Sequence, residues 1–492
     1  MRRTTMMGLG FSGALRGDRT PTLLVPSLKL SLGAVLTINA LRLLLHGLGL
    51  LLALVVRRPV TAAALVAFVA GWLWFGPWVL AAAGLVAAAL LAGWRWRWPG
   101  AFTRWVGGPC SSRWRGWWLY RRHWQPAMVL SGLAKLYEYG EYLPQLRRVR
   151  STRWVDSVQV VLLAGQAPEH YEAVTAQLAH TFGALDCRVR VDRPGRIWLD
   201  FTRRDPLVKP IPALPVPEVP DLLALPLGVT ERGVPWVLRL LGSHVLIAGA
   251  TGAGKSSVVW SLIRALCPGL RGGWVQLWAV DPKGGMELVF GRALFHRFAY
   301  KNTADMLALL RDAAAVMRDR QDRLLGTTRL HAPTVAEPLI VLLVDELAAL
   351  TAYADRDTKR DAAALLQLLL SQGRAVGIVV VAAAQDPGKD VIPFRDLFPT
   401  RIALRLLEEE QVTMVLGRSA RNRGALCDLI PETLPGVGYV QVEGVREPVR
   451  VRAAYVTDAD IARLCADYAP GRAVASTLTV PAQRLDRPEP VA

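Results

Sequence analysis

Cysteine and histidine are scarce in this 492-residue chain, and each scarcity excludes some chemistry. The five cysteines (Cys110, Cys187, Cys267, Cys427 and Cys465) are scattered, with no C-x-x-C pair. That leaves no basis for a disulfide framework or a structural metal site, and it fits a reducing cytosol. The seven histidines include no H-x-x-x-H spacing, which excludes metalloprotease chemistry. Acidic residues are outnumbered, 40 against 59 Lys plus Arg, for a formal net charge of +19. Such a chain calls for anionic partners, either nucleic acid or anionic lipid. No internal repeat is evident, and the apolar region lies too far from Met1 for a cleaved signal peptide.

Hydrophobic residues nonetheless make up 52% of the chain, and their placement suggests membrane segments. Residues 1–60 comprise a basic start (Arg2, Arg3, Arg16, Arg19) and an apolar stretch, Leu30 to Val56, that holds Arg42 and His46. Residues 61–94 are almost uncharged. As a single helix they would run about 50 Å, too long for one crossing. With Gly76-Pro77 near the middle, Arg57/Arg58 at one base and Arg95/Arg97 at the other, they are expected to form a transmembrane helical hairpin with both ends cytoplasmic. Leu30–Val56 could be a surface helix or a third span. Two crossings are preferred, because an even number keeps the basic start and everything downstream inside a multi-pass cell-membrane protein. Pairing Leu30–Val56 with one long tilted span, which would place Arg57-Arg58 outside, is the alternative. Residues 95–144, with Trp94 just before them, interleave Trp96, Trp98, Trp105, Trp114, Trp117, Trp118 and Trp124 with arginines. Such a stretch can stack on single-stranded bases. Directly after a hydrophobic hairpin, an interfacial belt on the anionic inner leaflet is the preferred reading.

Residues 145–205 read as a small α+β module. A strand is expected over Asp156–Leu163, a helix over Pro168–Phe182, and a hairpin from Cys187–Val191 and Ile197–Phe201. Six prolines between Pro210 and Pro226 make 206–227 a stiff extended linker. Residues 228–456 carry the chemistry, and 457–492 form a C-terminal tail.

Within 228–456, Val245–Ala248 reads as a buried strand, and apolar residues from Val258 to Leu266 recur at helical spacing. Between them lies Gly249-Ala250-Thr251-Gly252-Ala253-Gly254-Lys255-Ser256-Ser257, a P-loop in its expected strand-to-helix setting. Glycines let backbone N–H groups curl around phosphate oxygens. Lys255 adds a charge on the terminal phosphates, Ser256 offers a hydroxyl to Mg²⁺, and the helix N-terminus adds its partial positive charge. Further apolar strands are expected at Trp274–Val280, Leu339–Val344, Ile378–Ala384 and Thr400–Leu406, with an amphipathic helix over 303–325. The second of these strands delivers Asp345 and Glu346 at its tip, a Walker B pair. Asp345 is assigned to Mg²⁺ and Glu346 to polarising the attacking water. Gln385 ends the third strand, where an amide can sense a phosphate or orient water. Alternating strands and helices imply an α/β P-loop NTPase core on a parallel sheet covered on both faces, using ATP and Mg²⁺.

From about Leu225 to Val456 the chain resembles the FtsK/SpoIIIE family of hexameric DNA-pumping ATPases. The matching residues are Gly249–Ser257, Asp281-Pro282-Lys283-Gly284, Leu343-Val344-Asp345-Glu346, Gly373-Arg374-Ala375-Val376-Gly377-Ile378, Ala384-Gln385-Asp386-Pro387 and Pro399-Thr400-Arg401-Ile402-Ala403. The resemblance implies a RecA-like core with the Gln385 strand between the P-loop and Walker B strands. It also implies a homo-hexameric ring in which Arg374 or Arg401 reaches a neighbour's nucleotide, and double-stranded DNA as the substrate. The N-terminal layout is similar to that of actinobacterial plasmid-transfer members, which implies a conjugative DNA translocase. A chromosome-segregating septal pump and a protein-secretion ATPase are the alternatives. Two departures stand out: Ala384-Gln385-Asp386-Pro387 replaces the family's Thr-Gln-Arg-Pro, and the stretch after Val456 is shorter than the family's winged-helix DNA reader.

Overall fold

A computed structural model describes residues 59–137, 140–388 and 391–470. The readings of the basic start, of Leu30–Val56 and of the final Pro-rich tail fall outside these residues. Two units are resolved, one ending at Arg104 and the other starting at Trp105.

In the first unit, helix α1 (Pro59–Arg97) is interrupted at Gly76, whose φ of 74° and ψ of 168° are not helical. Glycine tolerates that conformation, and Pro77 pushes its predecessor out of the helical region. The interruption leaves segments of roughly 25 and 30 Å at 1.5 Å per residue. Among the described residues no helix is long and apolar enough to cross a membrane, so the expected transmembrane helices are not seen as such.

The second unit begins with α2 (Gly108–Arg115), a π-helical turn over Gly116–Arg121, and α3 (Arg122–Leu130). These pack on an antiparallel sheet of β1 (Gln145–Ser151), β2 (Val155–Val161), β3 (Asp186–Arg193) and β4 (Arg196–Thr202), in the order β1-β2-β4-β3. Short helices α4 (Pro168–Glu172) and α5 (Thr175–Thr181) replace the single helix expected there. Tyr120, Trp124 and Met128 share a core with Val158, Val160, Leu178, Phe182 and Phe201. Trp124 is thus a core residue rather than part of an interfacial belt, with its indole N–H donating to the Pro144 carbonyl at 2.7 Å. Trp114, Trp117 and Trp118 are exposed. The small domain therefore begins near residue 108, not 145. At its heart the fully buried Asp156 accepts from Arg115 at 2.7 Å, Arg203 at 2.8 Å and the Tyr120 hydroxyl at 3.0 Å.

The larger domain follows, called the motor only after the resemblance to DNA-pumping ATPases, and it is built on a single large sheet. Its elements are β5 (Leu225–Thr230), β6 (Pro235–Leu238), β7 (Val245–Ala248), α6 (Lys255–Arg271), β8 (Val275–Val280), β9 (Arg297–Ala299), α7 (Thr303–Leu324), β10 (Leu339–Val344), α8 (Leu347–Thr351), α9 (Arg356–Gln372), β11 (Ile378–Ala384), β12 (Thr400–Leu404), α10 (Glu409–Leu416), β13 (Val437–Val442), β14 (Val449–Tyr455) and α11 (Asp458–Tyr468). The strand order is β9-β8-β10-β11-β7-β12-β13-β14-β5-β6. The first six are parallel, and the last four join antiparallel, so the sheet is mixed rather than wholly parallel. Fully apolar β7, β10 and β11 sit at its centre, where both faces are covered. One face packs on α6 and α11, the other on α7 and α9. The Gln385 strand, β11, lies between the P-loop and Walker B strands.

Two boundaries move. The segment 206–227 is not a free spacer: Ile211–Pro212 pairs with β14, and Leu207, Leu222, Leu225 and Leu227 are buried. Its prolines lack N–H groups and cannot donate to a ladder, and several of its carbonyls accept from arginine side chains. Buried Arg264 of α6 donates to the carbonyls of Leu214, Pro215 and Pro226, and Arg452 donates to those of Leu207 and Val208. At the other end the core runs past Val456. Thr457 and Asp460 form a capping box for α11, which buries Ile461 and Leu464 against the motor.

Candidate active site

Every parallel strand of the motor ends at the same edge, and the sequence motifs meet there. After β7 the chain enters the P-loop, fixed at its base by Gly249 N–H to the Ala384 carbonyl (3.1 Å) and Ala250 N–H to the Arg405 carbonyl (2.8 Å). Gly254 has a φ of 93°, and a Cβ there would come within 2.3 Å of the Gly436 nitrogen. Only glycine satisfies both constraints. The Lys255 ammonium folds back over the loop and donates to the carbonyls of Gly249 (2.6 Å) and Ala250 (3.3 Å). Burial lowers this ammonium to about 8, opposed by the charge of Glu346.

β10 delivers Asp345 and Glu346, both buried. Glu346 caps α8: its Oε1 accepts from Ala348 N–H at 3.4 Å and from Gln385 N–H at 3.2 Å, tying the Walker B tip to the end of β11. The outer oxygens, Oδ2 of Asp345 and Oε2 of Glu346, are buried without a hydrogen-bond donor. Among the described residues their counter-ion is the Lys283 ammonium, 3.5 and 3.9 Å away. Burial raises the Asp345 carboxyl to about 6, with Lys283 pulling the other way and Asp281 and Glu287 adding to the rise. Gln385 accepts from the Thr251 hydroxyl at 3.0 Å, which links that amide to the phosphate loop.

Four contributors lie outside the set expected from sequence. Buried Asp281 accepts from the N–H groups of Lys283, Glu287 and Leu288, and so bends the turn after β8. That turn presents Lys283 to the acid pair and Glu287 to the Ser256 hydroxyl, which donates to Glu287 Oε2 at 2.9 Å. Arg405, just past β12, donates to the Thr251 carbonyl at 2.9 Å and pairs with Glu432 at 3.2 Å. The Asp281-Pro-Lys-Gly run was legible as a motif, but nothing local assigns roles to Lys283 or Glu287. Ala250 to Ser257, Lys283, Glu287, Asp345 and Gln385 line a cavity of about 550 Å³, together with Pro210, Ile211, Pro435, Arg452 and Tyr455.

Arg374 and Arg401 are not brought into this cavity. Arg374 sits in the turn Gly373–Val376 that starts β11, roughly 20 Å along the strand from Gln385. Arg401 is level with Leu246 in the sheet and donates to the Val415 carbonyl.

Two buried, donor-free carboxylate oxygens, a serine hydroxyl, an ammonium and a glycine-rich loop before a helix suit a magnesium nucleotide. The P-loop N–H groups and Lys255 would hold its phosphates, and Ser256 and Asp345 its cation. Bound there, the cation supplies charge neutralisation and Lewis acidity at the phosphates. Glu346, anchored through one oxygen, keeps the other available to take a proton from water.

Residues 213–334, which include the P-loop and the Lys283/Glu287 turn, match the FtsK/SpoIIIE family model. Over that stretch the chain is similar to the FtsK/SpoIIIE family. DNA translocase FtsK 2 of Ralstonia nicotianae is 27% identical over 279 residues, covering 49% of this chain and 34% of that protein. DNA translocase FtsK of Oceanobacillus iheyensis is 30% identical over 244 residues, covering 45% and 29%. That of Halalkalibacterium halodurans is 28% identical over 316 residues, covering 58% and 38%. The chain thus spans about a third of the length of these relatives. Among solved structures, the monomer form of the pCW3 conjugation coupling protein TcpA with ATPγS is 18% identical, covering 70% of this chain and 98% of that one, with a TM-score of 0.47.

Proposed function

We propose that this chain is a membrane-anchored ATPase that drives double-stranded DNA through a homo-hexameric ring, and that its role is to move plasmid or integrative-element DNA between cells. The observation that carries the reading is the meeting of Lys255, Ser256, Asp345 and Gln385 on one cavity, with Glu346 at its edge, inside a domain similar to the FtsK/SpoIIIE family. The curated relatives are named DNA translocases, and a net charge of +19 suits a polyanionic substrate. Arg374 lies far from its own P-loop, the placement expected of a residue that serves a neighbour's site. Membrane anchoring is supported by the nearly uncharged stretch 61–94 with arginines at both ends. The conjugative role is supported by the resemblance of the N-terminal layout to plasmid-transfer proteins.

The deciding experiment compares ATP turnover by the full chain with random-sequence duplex, single strands and no DNA, at two salt concentrations. Duplex should stimulate turnover, single strands should work poorly, and salt should weaken the effect. Equal rates in all three would remove DNA as the substrate and favour a secretion ATPase. For the anchor, single cysteines labelled from outside the cell should react near Gly76 and not at position 58. Labelling at 58 would overturn the two-pass arrangement.

A further inference from the structure

The small domain's sheet has one face covered by its helices and one face that is bare outside its contacts with the motor at Arg188 and Asp200. Alternation puts Val158, Val160, Ile197 and Leu199 on the covered side, against the helices. On the other side the register sets Arg148, Gln159, Trp198 and Arg190 in one row across all four strands. Arg150 and Arg196 lie two residues along from that row on the same face. Trp198 is only 6% exposed, because the guanidiniums of Arg150 and Arg190 lie over its ring at 5.2 and 5.8 Å. At the sheet's edge Arg153 lies over Trp154 at 4.9 Å.

Positive charge on this face exceeds its acidic partners. Among the described residues, Arg147, Arg148, Arg150, Arg153, Arg193 and Arg196 have no ion-pair partner. The face's own carboxylates are already taken, Asp186 by Arg188 and Asp200 by Arg190 and Arg232, and Asp192 at the rim accepts from Gln159. The domain is also held to the motor: Arg188 pairs with Glu231 at 2.9 Å, Arg232 with Asp200 at 2.6 Å and Arg450 with Asp205 at 2.7 Å. A face on which Arg148, Arg150 and Arg196 stand without ion-pair partners fits an anionic ligand.

We propose that this bare face binds the phosphate backbone of double-stranded nucleic acid, as a second contact for the duplex outside the motor. The proposal rests on the DNA reading above. Trp198 is covered by arginines, so it offers no platform for stacking unpaired bases. The central row carries no exposed large apolar side chain to insert into lipid, which disfavours a membrane surface. Guanidinium forks without apolar anchors match phosphates on a regular duplex.

The test uses the full chain and a random-sequence duplex several turns long, with affinity measured by anisotropy across a salt series. The triple variant R148A/R150A/R196A should bind more weakly. Its log–log salt slope should be shallower by about 2 to 3 units, at about 0.9 for each phosphate no longer neutralised. ATP turnover without DNA should be unchanged, since none of the three lines the nucleotide cavity. The double variant R148Q/R196Q, which leaves the Arg150–Trp198 stack intact, should lose about two units, and R148K/R196K should retain most of the slope. A photo-crosslinker on a cysteine at position 159 should capture the duplex. Wild-type slope and affinity in both neutralised variants, or capture of lipid instead of duplex, would overturn the proposal and leave the translocase reading standing. Failure of the wild-type chain to bind duplex would overturn both.

Discussion

In the motor, six neighbouring strands run parallel, so the loops that follow them all emerge at one edge of the sheet. In the small domain, four antiparallel strands send their connections to both ends, and what remains available is a face. The first arrangement gathers residues as distant in sequence as Lys255, Lys283, Asp345 and Gln385 around a single cavity. The second spreads its arginines over a surface and buries its best-connected charge, Asp156, in the core. Catalysis needs convergence in a dry, enclosed volume, whereas gripping a long polyanion needs only a patterned surface. The two sheets therefore serve the two halves of one proposed task.

The sharpest break of this contrast is Lys255→Ala, which should abolish nucleotide binding by calorimetry while leaving the thermal unfolding of the protein close to wild type. Loss of the fold along with binding would mean that the loop is structural as well. Next in size is Asp156→Ala. It strands the buried ends of Arg115 and Arg203 and should destabilise the small domain by about 3–5 kcal/mol in chemical denaturation. Nucleotide affinity should persist through that change. If it disappears together with the domain, the two sheets unfold as one cooperative unit.

Glu346→Gln should bind nucleotide normally and turn over at least about a hundredfold more slowly, measured in steady state. Near-normal turnover would move the base elsewhere. Glu287→Ala removes the partner that orients the Ser256 hydroxyl. Such outer partners typically contribute about 10- to 100-fold in metal affinity, so the magnesium dependence of nucleotide binding should shift to higher concentration by about that factor. An unchanged titration would make Glu287 a bystander.

The smallest expected effect is in pH. The Asp345 carboxyl, raised by burial from 3.8 to about 6, holds its proton more tightly folded than unfolded. Its contribution therefore favours the fold at low pH and is lost as pH rises through about 6. Cation binding runs the other way, because a metal ligand must be ionised. Magnesium-nucleotide affinity should fall by about tenfold between pH 7 and pH 5, and Asp345→Asn should flatten that limb of the profile. On the alkaline side, Lys255 loses its charge above about 8 before phosphate is bound, so affinity should decline again there.

The core strands and the phosphate loop can be read from the residues alone. β7, β10 and β11 are continuous apolar runs because a central parallel strand is covered on both faces, and that signal is local. The P-loop's glycines, Lys255 and Ser256 are adjacent in the chain because one turn must wrap one phosphate group, so their geometry is encoded in a few consecutive residues. β1 was hidden, since Arg147, Arg148 and Arg150 make an exposed edge strand look like a loop. The strands β5, β6, β13 and β14 carry no long apolar run and are recognisable only by their partners. Trp124 read as part of a belt because its neighbours in sequence are arginines, whereas its neighbours in space are Phe182 and the Pro144 carbonyl. Only the tertiary structure decided that Lys283 faces two carboxylates, that Glu287 holds Ser256, and that the proline-rich segment 206–227 is clamped by Arg264 and Arg452. These contacts join residues tens to hundreds of positions apart, and hydrogen bonds and ion pairs act on distance in space, which a local pattern of residue types does not record.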